Sequence, residues 1–230
     1  MRALGGGLPC GGVEDANGQA EPTERGAPGA PFPQFVARRD HHGEQSHGVE
    51  RDVKLFFALT NAIADAGCCA WDNKRTFNSV RPITAIRTLF RGQPVRAWGG
   101  PYQGTKVVDG GSWFPYQATT FPTPPFPEYA SGHSNFSAAG AEILRFFTRS
   151  DRFGGTATIR AGSSRIEPGT VPSSDVTLSL ATFSEAAHQA GLSRRYGGIH
   201  FEQADIDARQ TGQIAARKVW EKAGSYWEGS

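Results

Sequence analysis

Residues 131–147 read SGHSNFSAAGAEILRFF, and this stretch predicts a helix. Ser131 is a preferred N-cap residue, because its hydroxyl oxygen can accept a hydrogen bond from a backbone N–H of the first turn. The apolar residues behind it recur at steps of three and four, which places them on one helix face: Phe136, Ala139, Ile143 and Phe147. We therefore expect a helix that starts at Ser131 and packs one side into a core.

Four other segments carry helical spacing, and they cover residues 51–71, 82–89, 183–189 and 200–223. The first has an apolar stripe of Leu55, Leu59, Ala62, Ala66 and Cys69. Pro82 suits the first turn of the second helix, whose apolar side is Ile83, Ile86 and Leu89. Gly191 is expected to end the third helix. The inner contacts of the last helix are expected to be Ile206, Ile214 and Val219.

Two segments lack helical spacing. Residues 92–130 are rich in proline and glycine, above all at 121–127, and predict a long extended loop of the kind that often carries function. Residues 156–160 and 176–180 alternate between apolar and polar side chains and predict a small β-hairpin. The predicted fold class is therefore all-α: a helical bundle with a long Pro-rich loop and a small β-hairpin.

The length of 230 residues allows one compact domain with a tail. Residues 1–50 hold 10 of the 29 glycines and 5 of the 15 prolines, so we predict a disordered low-complexity tail there. No role is assigned to its histidines, which are His41, His42 and His47. The helical domain is predicted to cover 51–223, and a short tail 224–230. No signal peptide is evident, since no apolar region follows Met1 and Arg2.

Composition excludes several classes of function. The net charge of +2 is too small to drive binding to nucleic acid or to an anionic membrane surface. The longest apolar runs are far shorter than the roughly 18 residues of a membrane span, so a soluble protein is predicted, with its compartment left open. Cys68 and Cys69 are adjacent and the third cysteine is Cys10, which argues against a disulfide framework.

Three separate segments place cations or imidazoles beside a helix boundary. They are KRTFNSVRP at 74–82, SGH at 131–133 and SRRYGGIH at 193–200. Lys74, Arg81 and Arg194 supply positive charge, Ser131 supplies a hydroxyl, and the helix start at Ser131 and Gly132 supplies backbone N–H groups and a positive dipole end. This donor set suits a tetrahedral oxyanion such as phosphate or vanadate.

The two histidines in these segments add chemistry that simple anion binding does not need. Imidazole titrates near pH 6.5 and serves as nucleophile, ligand or acid according to its neighbours. We expect His200 to bond to the central phosphorus or vanadium atom and His133 to move protons at an apical oxygen. Taken singly, each of these residues has a plain structural interpretation as a surface cation, a turn or a cap. The three segments together favour a site.

The order and spacing of the three segments resemble the signature blocks of the phosphatidic acid phosphatase type 2 and vanadium-dependent haloperoxidase superfamily. The resemblance runs from about residue 56 to 220. The strings AWDNK at 70–74, TPPFPEY at 123–129 and YGGIHF at 196–201 resemble the soluble haloperoxidase branch more than the membrane lipid phosphatases. An N-terminally truncated member is one interpretation.

The resemblance implies a role for each matched residue. It implies that Lys74, Arg81, Ser131, Gly132 and Arg194 hold vanadate oxygens, that His200 is the vanadium ligand, and that His133 is the acid–base residue. Phosphate would fit the same site. Trp71 and Phe126 match positions on the halide side of the family's site, although both also suit plain core aromatics.

Two departures from the family pattern stand out. Ala130 occupies the place where the family usually has proline, which should loosen the approach to the helix without removing a ligand group. Haloperoxidases of this branch are also longer and place more helices before the first block. The chain is then a fragment or a divergent product, or it covers its bundle by forming a homo-oligomer. Asp65 is expected to be a buried acid and to replace a carboxylate that the absent helices would offer to Arg194.

Three functions remain open at this point. The first is a vanadate-dependent haloperoxidase that uses hydrogen peroxide and a halide to make hypohalous acid. The second is a soluble acid phosphatase that cleaves a phosphate ester through a phosphohistidine at His200. The third is an incomplete bundle without turnover. The sequence favours the haloperoxidase and leaves halide preference and organic substrate open.

Overall fold

The computed structural model describes residues 48–118, 120–121 and 123–227. Residues 1–47 of the predicted disordered tail lie outside the described residues. The last two residues of the predicted tail, 49 and 50, belong to helix α1, which begins at Val49. The elements, in order, are α1 (Val49–Phe77), α2 (Pro82–Leu89), β1 (Pro94–Trp98), β2 (Thr105–Asp109), α3 (Gly132–Thr148), β3 (Arg152–Ile159), β4 (Val176–Thr182), α4 (Phe183–Tyr196) and α5 (Glu202–Trp227). The all-α helical-bundle class is confirmed.

Helix α3 lies at the centre of the bundle and packs against α1, α4 and α5. Ser131 is its N-cap, as predicted, and its side chain accepts a hydrogen bond from the Ser134 backbone N–H. Ile143 and Leu144 are fully buried, whereas Phe136 and Phe147 are partly buried and pack against the edge of the core. The core between these helices consists mainly of alanine, leucine and phenylalanine side chains.

Helix α1 continues past the predicted end at residue 71 to Phe77. Its buried stripe runs Ala62, Ala66, Ala70 and then Lys74, at steps of four. The predicted end was wrong because the inward-facing residue that follows Ala70 is a lysine, which breaks the apolar pattern without ending the helix. Asn78 then ends the helix in the left-handed conformation (φ 43°).

Helix α4 passes through Gly191, which the sequence analysis had placed at its end. A Cβ atom at this position would overlap the Asp205 carboxylate and crowd the Ser134 hydroxyl. The glycine is therefore required by close packing between α4, α5 and α3, and the expectation of a helix stop was wrong.

Helix α5 extends to Trp227, so the predicted tail at 224–230 is helical over its described part. Val219 is buried as expected, but Ile214 is exposed. The buried face consists mostly of small residues: Ala204, Ala208, Gly212, Ala215, Ala216 and Ala223. A Cβ atom at Gly212 would overlap the Asn135 backbone, which shows how closely α5 approaches α3.

The described residues also form two antiparallel hairpins. The pairing of β3 with β4 confirms the predicted hairpin and extends it at the end away from the turn, to Arg152 and Thr182. The pairing of β1 with β2 corrects the expectation that residues 92–130 are all extended loop. Pro94 and the nearby glycines favoured a loop prediction for this segment, although proline is acceptable at the first residue of an edge strand.

Among the described residues, one segment is apolar and long enough to cross a membrane by length and composition, Val49–Leu89. The sequence analysis had expected no such segment. About a third of its most apolar window is buried inside the protein, and core helices of soluble proteins meet the same criterion. The solubility of the chain stays a prediction. A homo-oligomer also stays a prediction, and α1 exposes three apolar side chains that such an oligomer would cover: Val53, Phe56 and Phe57.

Candidate active site

Lys74 lies in the last turn of α1 and is buried, with 3% of its surface exposed. Its Nζ donates hydrogen bonds to the carbonyl oxygens of Pro127 (2.8 Å) and Glu128 (3.1 Å). A buried ammonium is costly unless hydrogen bonds replace its water, and these two carbonyls do so. The Pro-rich loop that precedes α3 therefore fixes the position of this charge.

Arg81 is the residue before α2 and is also buried. Its Nε donates to the Phe126 carbonyl at 2.9 Å, and its Nη1 donates to the Ile199 carbonyl at 3.0 Å. The same Nη1 lies 3.1 Å from His200 Nε2. The guanidinium thus joins the Pro-rich loop to the segment that links α4 with α5.

Phe126 packs against both cations and against Trp71. Its ring centroid is 4.8 Å from Arg81 Cζ and 5.2 Å from Lys74 Nζ, within the range of cation–π attraction. The rings of Trp71 and Phe126 are 5.0 Å apart. The two aromatic residues predicted for the halide side therefore form one wall beside Lys74 and Arg81.

The start of α3 brings Ser131, Gly132 and His133 to the same end of the bundle. Ser131 is fully buried, its backbone N–H donates to the Ala204 carbonyl (3.2 Å), and its Oγ accepts from Ser134 Oγ (2.8 Å). A hydroxyl oxygen that accepts still has one proton to donate. The predicted role of Ser131 as a donor to an anion remains a prediction.

Arg194 lies in the last turn of α4 and is buried, and His200 follows in the link to α5. The His200 ring is held from its Nδ1 side by Glu128 Oε1 at 2.7 Å. The same oxygen accepts the Phe201 backbone N–H at 3.0 Å. The imidazole is therefore fixed between a carboxyl group and Arg81.

Both histidines are held neutral. Burial, followed by the charges of Arg81, Lys74 and Arg194, lowers the pKa of His200 to about 2. Burial and the charge of Arg194, with smaller effects of His200, Lys74 and Arg81, lower the pKa of His133 to about 3. The structure thus brings together all three predicted cations and both predicted histidines.

Glu128 is the residue that the sequence analysis missed as part of the site. Burial raises its pKa, and the Phe201 N–H and the charges of Arg81 and Lys74 oppose that effect. Lys74, Arg81 and Arg194 outnumber Glu128 and Asp205, the two described carboxyl groups whose charge acts on this site. A signal was present in the sequence, because Glu128 is the only acidic residue in the 112–130 segment.

Asp65 does not have the predicted role, because its side chain is exposed on α1. The fully buried aspartate on this side of the bundle is Asp205, in the first turn of α5. It accepts from Arg209 Nε at 3.1 Å and lies 3.7 Å from Arg195 Nη1. The prediction failed because the turn of α1 that carries Asp65 buries Ala62 and Ala66 instead.

A family model described as the VCPO second helical-bundle domain matches residues 54–229. The chain belongs to this family. The resemblance to vanadium-dependent haloperoxidases is thereby confirmed. The match covers every site residue described above, from Trp71 to His200.

Solved structures of vanadium-dependent enzymes share the VCPO-type bundle. A holo-type bacterial vanadium-dependent chloroperoxidase aligns with a TM-score of 0.73 at 28% identity, covering 83% of this chain and 39% of its own. The apo-type chloroperoxidase gives 0.74 at 28% identity, covering 84% and 40%. A bacterial vanadium-dependent iodoperoxidase gives 0.56 at 26% identity, covering 82% and 37%. No curated protein matches the chain.

The VCPO-type chain described here therefore spans about two fifths of the length of the solved enzymes it resembles. It corresponds to the bundle that the family description calls the second.

Proposed function

We propose that this chain is a vanadate-dependent haloperoxidase that oxidises a halide with hydrogen peroxide to hypohalous acid. The observation that carries the proposal is the position of His200, whose Nε2 lies 3.1 Å from Arg81 Nη1 in a site with two further buried cations. A lone-pair nitrogen among fixed positive charges is the donor set that a tetrahedral metal oxyanion requires.

The residues present fit vanadate. Lys74, Arg81 and Arg194 would balance the negative charge of its oxygens, with the Gly132 N–H and the Ser131 hydroxyl as additional donors. His200 Nε2 would bind the vanadium atom. When bound, vanadate supplies a Lewis-acidic centre at which hydrogen peroxide becomes reactive toward halide without a change in the metal's oxidation state.

The side chains of the protein have separate tasks in this reaction. Lys74 is fixed by two carbonyl oxygens, so its charge needs no reorganisation to stabilise developing negative charge on an oxygen. His133 is neutral in the anion-free site and can accept a proton from the incoming peroxide. A bound oxyanion offsets the cations that lower the pKa of His133, which brings that pKa closer to the working range.

A second candidate uses the same residues and is favoured by the same geometry. A neutral His200 whose Nε2 lone pair points toward Arg81 in a cationic site is also a phosphate nucleophile, and His133 could protonate the leaving alcohol. We place this acid phosphatase second, because the solved structures that align with the chain are named as chloroperoxidases and an iodoperoxidase.

The test is an assay of the purified chain with orthovanadate, hydrogen peroxide and bromide, followed by bromination of a phenolic dye. Hydrolysis of p-nitrophenyl phosphate is measured in parallel. Vanadate-dependent bromination supports the haloperoxidase, and ester cleavage that vanadate inhibits supports the phosphatase. No turnover in either assay contradicts both and supports an incomplete bundle.

The variant His200→Ala should abolish either activity while the helical circular dichroism signal is retained. The matched control is His188→Ala, because His188 is exposed on α4. Activity that survives in His200→Ala contradicts the role proposed for its Nε2 atom.

A further inference from the structure

Glu128 has a side chain that is almost fully buried, with its Oε1 atom between two donors. We infer that Glu128 is a positioning residue for His200: it keeps the imidazole proton on Nδ1 and so presents the Nε2 lone pair to the cation cluster. The supporting distances are 2.7 Å from Oε1 to His200 Nδ1 and 3.0 Å from Oε1 to the Phe201 backbone nitrogen. The inference rests on the proposed function, in which Nε2 binds the oxyanion centre.

The chemistry of the partners assigns the tautomer from both sides of the ring. Oε1 of an ionised Glu128 can only accept, from Nδ1 as from the Phe201 N–H, so Nδ1 carries the proton. On the other side, a guanidinium has no acceptor, so the contact with Arg81 Nη1 requires a lone pair on Nε2. Both neighbours therefore select the Nδ1–H form.

Glu128 also links the ring to the other parts of the site through its backbone. Its carbonyl oxygen accepts from Lys74 Nζ at 3.1 Å, and the carbonyl of Phe126 in the same loop accepts from Arg81 Nε at 2.9 Å. One short loop thus sets the place of the imidazole and of two cations. A hydrogen-bonded partner on the far nitrogen orients a ligating histidine and raises its basicity.

The tautomer can be measured on the full chain without any bound anion. Nitrogen-15 NMR of the His200 ring distinguishes a protonated Nδ1 from a protonated Nε2, and the Nδ1 proton itself should give a low-field resonance. We expect the wild type to show the Nδ1–H form. A wild-type ring protonated at Nε2 overturns the inference, whatever the enzyme assays give.

Two variants separate positioning from a merely structural effect. In Glu128→Gln the amide oxygen can accept from both donors, so the Nδ1–H form should be retained and the proton resonance should move to higher field. In Glu128→Ala the low-field resonance should be lost, and orthovanadate binding measured by calorimetry should weaken by about 10- to 100-fold. The matched control is Glu167→Ala, another buried glutamate, which bonds Tyr116 and the Tyr102 backbone outside the site.

The failures of the two proposals can be told apart. If the wild type neither binds orthovanadate nor turns over, the proposed function fails, while the NMR result still decides the role of Glu128. If Glu128→Ala keeps both the Nδ1 resonance and the wild-type affinity, the positioning role is wrong even when the haloperoxidase assay succeeds. If Glu128→Ala does not fold, the wild-type and Glu128→Gln spectra decide, and Nε2 protonation in either one contradicts the inference.

Discussion

Arg81 Nη1 lies 3.1 Å from His200 Nε2, although 119 positions separate the two residues in the sequence. The contact brings a permanent cation to the nitrogen that is proposed to bind the oxyanion. Because the same Nη1 also bonds the Ile199 carbonyl, the guanidinium is held in this place before any ligand arrives.

Replacement of Arg81 should therefore weaken anion binding strongly. We expect Arg81→Ala to reduce orthovanadate affinity by about 10- to 100-fold, since charged hydrogen bonds contribute about 1.5–3 kcal/mol each. Arg81→Lys should restore little of it, because an ammonium cannot reproduce the planar fork that reaches Phe126, Ile199 and His200. Calorimetric titration measures both. Arg75→Ala is the control, since Arg75 is exposed on α1, and a loss there equal to that of Arg81→Ala contradicts the prediction.

Ser131 should have an effect on binding beyond its effect on the helix. Ser131→Ala removes the N-cap of α3, which costs about 0.5–2 kcal/mol of stability. Thr182→Ala removes the equivalent cap of α4, where Thr182 Oγ1 accepts from the Glu185 N–H at 2.9 Å. Both variants should lower the urea midpoint, but only Ser131→Ala should also weaken orthovanadate binding. Equal affinities in the two variants would show that the Ser131 hydroxyl is a cap only.

The stability of the anion-free protein should fall in acid because of its histidines. Their folded-state pKa values, about 2 for His200 and about 3 for His133, lie below the unfolded value near 6.5. The unfolded chain therefore binds more protons between these limits, so the free energy of unfolding decreases as the pH falls from about 6.5 toward 3. Urea unfolding at a series of pH values measures this slope.

Variants at the two histidines test the origin of that slope. His133→Gln should reduce the pH dependence relative to wild type, whereas His188→Gln on the exposed face of α4 should leave it unchanged. Saturating phosphate should also flatten the slope, because a bound anion stabilises the protonated rings. An unchanged slope in His133→Gln would contradict the assignment.

Close packing at Gly191 predicts a loss of stability on adding a single methyl group. Gly191→Ala forces a Cβ atom onto the buried carboxylate of Asp205, and we expect a cost of about 1–3 kcal/mol. Gly224→Ala is the matched control on α5, since no atom lies within 4 Å of its Cβ position. That change should stabilise the helix by up to about 1 kcal/mol. The thermal unfolding midpoints of both variants test this prediction, and equal midpoints would contradict the packing argument.

Much of the fold and of the site could be predicted because the responsible signals are local. The N-cap at Ser131 and the apolar spacing behind it define α3, and Pro82 marks the start of α2. The cations and histidines stand out because each lies beside a helix boundary. These features depend on residues close together in the chain.

The errors arose where tertiary packing overrides a local rule. Lys74 continues a buried stripe because two distant carbonyls satisfy its ammonium, and no local pattern reveals that partner. Glycine is typical of a helix end, but Gly191 lies inside α4, where the absence of a side chain makes room for Asp205. The contact of Glu128 with His200 joins residues 72 positions apart. Each of these depends on a neighbour that only the folded chain supplies.

The loop that carries Phe126, Pro127 and Glu128 holds two cations through three peptide carbonyls, and the Phe126 ring is its only side chain described as packing on them. Side-chain replacements at Pro127 leave those oxygens in place, whereas an inserted or deleted residue shifts their register. Evolution of this segment should therefore be permissive in side chain at Pro127 and strict in length. A library of loop variants, sorted for retained anion binding, would be expected to contain many substitutions at Pro127 and no change in residue count between Phe126 and Ser131.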